Sequence, residues 1–275
     1  MSLVFGTAGI PARAKGQGTD DGVREVARLG LGCMELEFVR GVHMNTALAA
    51  RVKGVADELR VALSVHAPYW INLNAKEKPK LVRSIDYILD SARVGFAAGA
   101  RDIVFHPAFY TGDDPVVVHE RVKESLIRIR ETLVAEGVDV VLRPETTGKP
   151  TQYGSLEELV RLSAELPDVL PCVDFAHLHA RSGGAMNTEP EFHEALDLIE
   201  RGLGPSALGK MHIHISGIEY TTKGEREHLR LADSDMNWKG VLLVIHDRGA
   251  SGAVISESPV LEDDALLMKS FYEGL

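Results

Sequence analysis

The sequence predicts an α/β fold, namely a single-domain (β/α)8 barrel over residues 1–275. Eight apolar runs of strand length alternate with eight longer amphipathic stretches, which is the pattern of repeated strand–helix units around a parallel sheet. The length of 275 residues is close to the roughly 250 residues that such a barrel usually needs. An open doubly wound sheet is the alternative, but the chain has no GxGxxG motif after its first strand.

The apolar runs are predicted to form the barrel strands, at residues 3–7, 31–37, 60–66, 101–106, 138–145, 169–174, 209–214 and 252–257. The amphipathic stretches are predicted to form the helices, at residues 20–29, 46–59, 78–98, 115–135, 155–164, 189–201, 238–247 and 261–272. Several helices begin with residues that satisfy free backbone amides. Ser155 precedes two glutamates, and Asp114 precedes a proline.

The composition is that of an ordinary globular protein, with 45% hydrophobic and 25% charged residues. No apolar run reaches the roughly 18 residues of a membrane span, and the first residues lack the features of a signal peptide. We therefore expect a cytoplasmic monomer that does not contact membranes. Cys33 and Cys172 lie inside apolar runs and are expected to be buried free thiols.

The formal net charge of −10 argues against a broadly basic surface for nucleic acid. It does not exclude a local one, because bound divalent ions would add positive charge at the place where an anionic substrate binds. The overall charge therefore leaves the class of substrate open.

Histidines and carboxylates recur at the carboxyl ends of the predicted strands. Because these ends converge on one mouth of a barrel, the side chains are expected to form one cluster at its carboxyl-terminal face. Imidazole and carboxylate are the ligands of divalent metals such as zinc. The sequence therefore predicts a multinuclear metal site built from His66, His106, Glu145, Asp174, His177, His212 or His214, and Glu257.

Each of these residues has an ordinary structural interpretation when it is taken alone. A histidine at a strand end is more often a core residue than a ligand. His66 and His106 differ because a proline follows each closely and ends the strand where the ring would face the mouth. Glu145 follows an apolar run, where a buried carboxylate needs a cation. The alternative for Glu145 is an ion pair with Arg143 or Lys149.

Asp174 and His177 form the most specific local pair, since a carboxylate and an imidazole three residues apart can face one cavity and reach two ions. His212 and His214 occupy alternate positions of one strand, so that both can point into the barrel. His228 lies in the polar segment KGEREHLRL, where a solvated loop histidine is the alternative.

Six segments, taken together and in order, resemble the endonuclease IV family of apurinic/apyrimidinic endonucleases, within the xylose isomerase-like barrel superfamily. The segments are SVHAPYWINL, VFHPAFY, RPETTG, CVDFAHLHA, MHIHISG and ISESP, and the resemblance covers roughly residues 3–272. It implies a trinuclear zinc site and a damaged double-stranded DNA substrate. The implied reaction is hydrolysis of the phosphodiester on the 5′ side of an abasic sugar, which leaves a 3′-hydroxyl.

The resemblance also implies a role for each ligand. His66 and His106 would bind the first zinc, and Glu145 would bridge it to the second. Asp174, His212 and Glu257 would also bind the second zinc. His177 and His228 would bind the third.

At two positions the ligand implied by the resemblance is not settled by the sequence. The family has an aspartate two residues before the histidine that corresponds to His228, and this chain has Arg226 there. Glu225 or Glu227 is the candidate replacement for the third zinc. The second position concerns register, since His214 competes with His212 as the ligand on that strand.

Phosphodiester cleavage needs a nucleophile at neutral pH and compensation for charge on the phosphate oxygens, and clustered divalent ions supply both. Glu145 and Glu257 are accordingly the predicted catalytic residues, which hold and orient the attacking water. For DNA contact, the candidates are Tyr69 and the loop cations Arg181 and Lys223. Trp70 is expected to pack in the core rather than to contact DNA.

The main alternative function is a sugar isomerase or epimerase of the same barrel group. Such an enzyme needs one divalent ion and about four ligands. The acids Glu35 and Glu37 on the second strand favour it, because extra carboxylates at the mouth suit a polyol. The four ligands of the sugar enzyme would be Glu145, Asp174, His212 and Glu257.

A non-catalytic scaffold is the third class of function that the sequence leaves open.

Overall fold

The barrel strands and their helices follow one another along the whole described chain, residues 3–275 of a computed structural model. The strands are β1 (Leu3–Ala8), β2 (Cys33–Glu37), β3 (Ala62–His66), β4 (Asp102–Phe105), β5 (Ala108–Phe109), β6 (Val141–Pro144), β7 (Gln152–Tyr153), β8 (Cys172–Asp174), β9 (Met211–Ile215), β10 (Gly217–Thr221), β11 (Gly224–Leu229) and β12 (Gly252–Ser256). The helices are α1 (Thr19–Arg28), α2 (Thr46–Leu59), α3 (Lys78–Ala97), α4 (Pro115–Ala135), α5 (Leu156–Glu165), α6 (Phe175–Arg181), α7 (Glu189–Leu203), α8 (Trp238–Asp247) and α9 (Glu262–Tyr272).

Eight of these strands form one parallel sheet, in the order β6, β4, β3, β2, β1, β12, β9 and β8. Bridges that pair Leu142 with Val169 and Glu145 with Cys172 bring the two end strands, β6 and β8, together. The sheet is therefore a nearly closed barrel with helices between its strands. The predicted fold class is confirmed, and each predicted strand overlaps an observed one.

Two buried layers hold the barrel together. Strand residues such as Val65 and Ile213 alternate with histidines that point into the barrel, and they are completely buried on its outer side. Helix residues such as Val52 and Leu126 are completely buried in the layer around it. Burial of each such side chain contributes about 1.5–3 kcal/mol. The apolar residues of the strand runs reflect this burial between strands and helices.

The predicted helix starts are also confirmed. Ser155 accepts a hydrogen bond from the amide of Glu158, whose side chain returns to the Ser155 amide, and Asp114 accepts from the amide of Val116. Cys33 and Cys172 are buried free thiols, and burial raises the pKa of both well above the ordinary value.

Three elements were not expected from the sequence: helix α6, the antiparallel hairpin β10–β11, and the two-residue strand pair β5–β7. The hairpin segment is polar and partly exposed, so it lacks the apolar pattern that marks the barrel strands. Helix α6 and the hairpin both lie at the carboxyl ends of barrel strands, and both contribute to the candidate site.

Among residues 3–275, none of the helices has the length and apolar character that crossing a membrane requires.

Candidate metal centre

The carboxyl ends of the strands bring histidines and carboxylates together in three adjoining groups. In each group, the possible ligand atoms lie within 4.8 Å of one another. Glu145 belongs to the first and second groups, and Asp174 belongs to the second and third. The groups are His66, His106 and Glu145; Glu145, Asp174, His214 and Glu257; and Asp174, His177 and His228.

Glu145 is completely buried at the end of β6 and lies among four imidazole rings. Its Oε2 atom is 3.1 Å from Nε2 of His66 and 3.1 Å from Nε2 of His106. Its Oε1 atom is 3.2 Å from Nδ1 of His177 and 3.4 Å from Nδ1 of His214. Because the two oxygens face different pairs of rings, this carboxylate has the geometry of a bridge between two ions.

The neighbouring Arg143 is not the partner of Glu145. Its Nε atom donates to Asp102 over 2.6 Å, and Nη2 donates to the carbonyl oxygen of Lys210 over 2.8 Å. In the described chain neither Arg143 nor Lys149 forms an ion pair with Glu145. The ion-pair interpretation of Glu145 is therefore wrong.

Asp174 and His177 owe their spacing to the start of helix α6. Asp174 ends β8 and is the N-cap of the helix, where its Oδ1 atom accepts a hydrogen bond of 2.7 Å from the amide of His177. The other oxygen, Oδ2, is buried without a hydrogen-bond partner and lies 3.4 Å from Nδ1 of His177. One oxygen thus fixes the helix and the other remains for a cation.

His212 and His214 lie on the same side of β9 at different depths. His214 is in register with Asp174 at the end of β8, whereas His212 is in register with Cys172, one pleat further from the mouth. His212 therefore contributes only to a deeper set of neighbours, with Cys172 and His214. The structure replaces His212 by His214 in the group that contains Glu145.

Contacts of the two rings agree with this difference in depth. Nδ1 of His214 lies 3.4 Å from Glu145 Oε1 and 3.3 Å from Glu257 Oε2. Nε2 of His212 instead forms a hydrogen bond of 2.9 Å to Glu35 Oε2. Glu35 is in register with Ser64, one pleat further from the mouth than His66. The expectation that Glu35 supplies an extra carboxylate at the mouth is therefore wrong.

The hairpin β10–β11 places His228 against the cluster, with its Nε2 atom 3.2 Å from Nε2 of His177. A β-bulge interrupts the hairpin: the residue that pairs with Tyr220 is Glu225, and Arg226 is left out of the register. Arg226 points outward, is 57% exposed and binds Glu219 over 2.7 Å.

Glu225 points inward as a result of this bulge. Its Oε2 atom lies 3.6 Å from Nε2 of His177, and its side chain is only 17% exposed. Glu227, in contrast, pairs with Glu219 in the hairpin and is exposed. Of the two candidate replacements for the family aspartate, Glu225 is the one beside the third group.

Several buried polar atoms of the cluster have no hydrogen-bond partner. Such atoms are costly to bury unless a cation or another polar group compensates them. Their lone pairs face one another inside the three groups, so the donor set fits divalent cations with nitrogen and oxygen ligands. The atoms inside the groups are Glu145 Oε1, Asp174 Oδ2, Glu257 Oε2 and Nδ1 of His214.

Neighbouring charges in the cluster shift one another's pKa values. Burial opposes ionisation of Glu145, but His106 and His214 hold its pKa well below the ordinary value. Burial raises the pKa of Asp174 well above its ordinary value, against the attraction of His177. Burial opposes protonation of His66, but its hydrogen bond to Glu145 raises the pKa to about 10. Asp174 and His66 therefore hold their protons more strongly than they would in water.

We expect metal binding to release these protons. Because the pKa values of Asp174, His66, His177 and His214 are raised, protons compete with metal ions for these groups. Zinc affinity should therefore rise between pH 6 and pH 8, by about tenfold per unit for each proton displaced. Competition titrations at the two pH values measure this, and equal affinities would contradict it.

Two aromatic residues extend from the mouth just after β3. Tyr69 is 51% exposed, and its ring centre lies 5.2 Å from that of His66. Trp70 is 68% exposed, so the prediction that it packs in the core is wrong. The sequence did not indicate this exposure. The proline marks the end of the strand, but the direction of the loop after it depends on the segments that pack against the loop.

Arg181 does not extend into the mouth as a free cation. Its Nη1 atom donates to the carbonyl oxygens of Lys149 and Gln152, over 2.7 and 3.0 Å, and to the hydroxyl of Thr147 over 3.1 Å. Arg181 therefore braces the loop after β6, and its contact with DNA stays a prediction. Lys223 is exposed at the tip of the hairpin.

Comparisons of sequence support the fold assignment. Residues 23–270 match the family model described as the xylose isomerase-like TIM barrel. The chain is 44% identical over 275 residues to an uncharacterized protein of Methanocaldococcus jannaschii, covering all of this chain and 98% of that one. It is 28% identical over 207 residues to a probable endonuclease 4 of Shouchella clausii, covering 73% of this chain and 68% of that one.

Comparisons of structure give the same fold. An endonuclease IV from Thermus thermophilus superposes with a TM-score of 0.74 at 22% identity, over 93% of this chain and 94% of that one. A D-tagatose 3-epimerase-like protein superposes with a TM-score of 0.73 at 18% identity, over 98% and 96%. At these identities the superpositions establish the fold alone. The chain belongs to the xylose isomerase-like TIM barrel family.

Proposed function

We propose that the protein is a zinc-dependent DNA repair endonuclease that hydrolyses the phosphodiester on the 5′ side of an abasic site. The observation that carries this proposal is the set of three adjoining ligand groups joined by Glu145 and Asp174. Three groups of this kind suit a trinuclear centre, and a centre with several ions is suited to phosphodiester hydrolysis. The similarity to a relative named as a probable endonuclease 4 supports the same function.

The three groups define which residues would hold the ions. We assign the first ion to the group of His66, the second to the group of His214 and the third to the group of His228, with Glu225 as an additional ligand of the third. Bound divalent ions would make water nucleophilic at neutral pH and compensate charge on the phosphate oxygens. The bridges would be Glu145 and Asp174.

Glu145 and Glu257 would orient the attacking water as hydrogen-bond acceptors. The nearby histidines hold the pKa of both carboxyl groups below the ordinary value, so both are ionised at neutral pH and can accept a proton. The side chain of Glu257 is 8% exposed, and that of Glu145 is completely buried. Glu257 is therefore the more accessible of the two to water that enters from the mouth.

The DNA would bind across the mouth. Tyr69 and Trp70 are exposed there and offer aromatic faces on which a base can stack, or a wedge beside the damaged nucleotide. Lys223 adds a cation at the hairpin tip. The net charge of −10 is compatible with this, because three divalent ions would add about six positive charges at the mouth.

A sugar isomerase or epimerase is the second candidate, and the second ligand group favours it. Glu145, Asp174, His214 and Glu257 by themselves form a four-ligand set of the kind that such enzymes use for one ion. That function would leave the histidines of the first and third groups without a role. Four histidines that converge on the same mouth support the nuclease instead.

The test is incubation of the purified protein with a DNA duplex that carries one abasic site, with and without a chelator. We expect incision on the 5′ side of the lesion, complete loss of incision with the chelator, and about three zinc ions per chain. An identical duplex without the lesion is the control. One bound ion together with epimerisation of a keto sugar would establish the second candidate, and a protein without metal or activity would be a scaffold.

A further inference from the structure

A buried carboxylate lies directly beneath the candidate metal centre. Glu35 on β2 is completely buried, and its Oε1 atom is 3.0 Å from Nε2 of His214. The opposite ring nitrogen of His214, Nδ1, faces Glu257 at 3.3 Å and Glu145 at 3.4 Å. The ring therefore lies between the proposed ligand carboxylates on one side and Glu35 on the other.

Glu35 is itself held in place through its other oxygen. Ser64 Oγ donates to Oε2 over 2.7 Å from the neighbouring strand, where the two residues are in register. His212 donates to the same oxygen through Nε2 over 2.9 Å. These two donors compensate the burial of Oε2. Oε1 lies 3.0 Å from Nε2 of His214, and neither of these two atoms has a hydrogen bond in the structure.

We propose that Glu35 is a positioning residue that accepts the Nε2–H of His214 when metal is bound, and so directs Nδ1 of that ring to the metal centre. This inference rests on the proposed metal site. A neutral imidazole carries its proton on one nitrogen only, and the nitrogen without it is the one that binds a metal. A carboxylate bonded to the N–H of a ligating histidine fixes the ring and makes it a stronger ligand.

The same arrangement gives His212 a role that the sequence did not indicate. His212 lies one pleat below the ligand position and is not in a group with Glu145. Together with Ser64 it holds Glu35, which in turn holds His214. The two histidines of the MHIHI strand would therefore act in series, one as ligand and one as support for the carboxylate behind it.

The substitution Glu35→Gln tests this inference, because glutamine keeps the size of the side chain and removes the charge. We expect zinc affinity at the centre, measured by competition with a chelator of known affinity, to fall about 10- to 100-fold. Glu262→Gln is the matched control. Glu262 is also buried, 2% exposed, and accepts the amides of Ala12 and Arg13 outside the site. The control should bind zinc as the wild type does.

A second measurement uses the wild type alone and so does not depend on how well a variant folds. In the zinc-loaded protein, nitrogen NMR of the histidine rings should find His214 protonated at Nε2 and bound through Nδ1. Binding through Nε2, or unchanged zinc affinity in Glu35→Gln, would overturn the role of Glu35. A wild type that binds no zinc at all would instead overturn the proposed function.

Discussion

The substitution Glu145→Ala is expected to abolish incision of an abasic duplex with little loss of folding. Glu145 is the only residue in both the first and the second ligand groups, and its two oxygens contact rings from four different segments. Its removal would take one ligand from each of the two proposed ions at once. Loss of about 4 kcal/mol of transition-state stabilisation, the several-kcal/mol scale of metal catalysis, corresponds to about a thousandfold lower rate.

Measurements of incision rate, zinc content and circular dichroism together check this prediction. Removal of Glu145 also leaves four imidazoles without their shared carboxylate, so the variant should be compared with the wild type at a temperature well below unfolding. Glu262→Ala is a suitable control, since it deletes another buried carboxylate that lies outside the centre. Wild-type incision by folded Glu145→Ala protein would eliminate the proposed bridge.

The substitution Glu225→Ala is expected to lower the zinc content from about three ions to about two and to slow incision by about 100-fold, the scale of one lost electrostatic contact to the transition state. Glu225 is the carboxylate that the bulge at Arg226 turns toward His177, at 3.6 Å. Without it the third group retains two histidines and the shared Asp174. Metal analysis and single-turnover incision measure the two effects.

Glu227→Ala is the matched control, because it removes the same charge from the same strand. Glu227 is exposed and pairs with Glu219 on the outer side of the hairpin. It should leave both zinc content and incision unchanged. If Glu227→Ala lost the third ion and Glu225→Ala kept it, the assignment of the inward-facing carboxylate would be wrong.

The sequence by itself determined the barrel and the membership of most of the candidate site. Strand positions follow from apolar runs, and helix starts follow from caps such as Ser155. The convergence of His66, His106 and Glu145 follows from their places at strand ends, because parallel strands in a barrel direct these ends to one face. These features depend on local pattern and on one topological rule, and both can be read along the chain.

Only the tertiary structure shows that His214, and not His212, lies in the group that contains Glu145. The two-residue repeat of a strand shows that both rings point to the same side, but it does not show how deep each lies. Depth depends on the stagger of β9 against β8, where His214 is level with Asp174. The same limitation applies to Glu35, which the sequence placed at the mouth and the structure places beneath the centre.

The tertiary structure also determined that the Arg226 side chain points outward and that Trp70 is exposed. It likewise determined that Arg181 binds backbone carbonyl groups of the loop after β6. A β-bulge, a loop direction and a set of backbone acceptors each arise from segments that are distant along the chain. Residue type and spacing determine which groups are available to a site. The packing of distant segments determines which of those groups face one another, because contact distances are properties of the folded chain and not of its order.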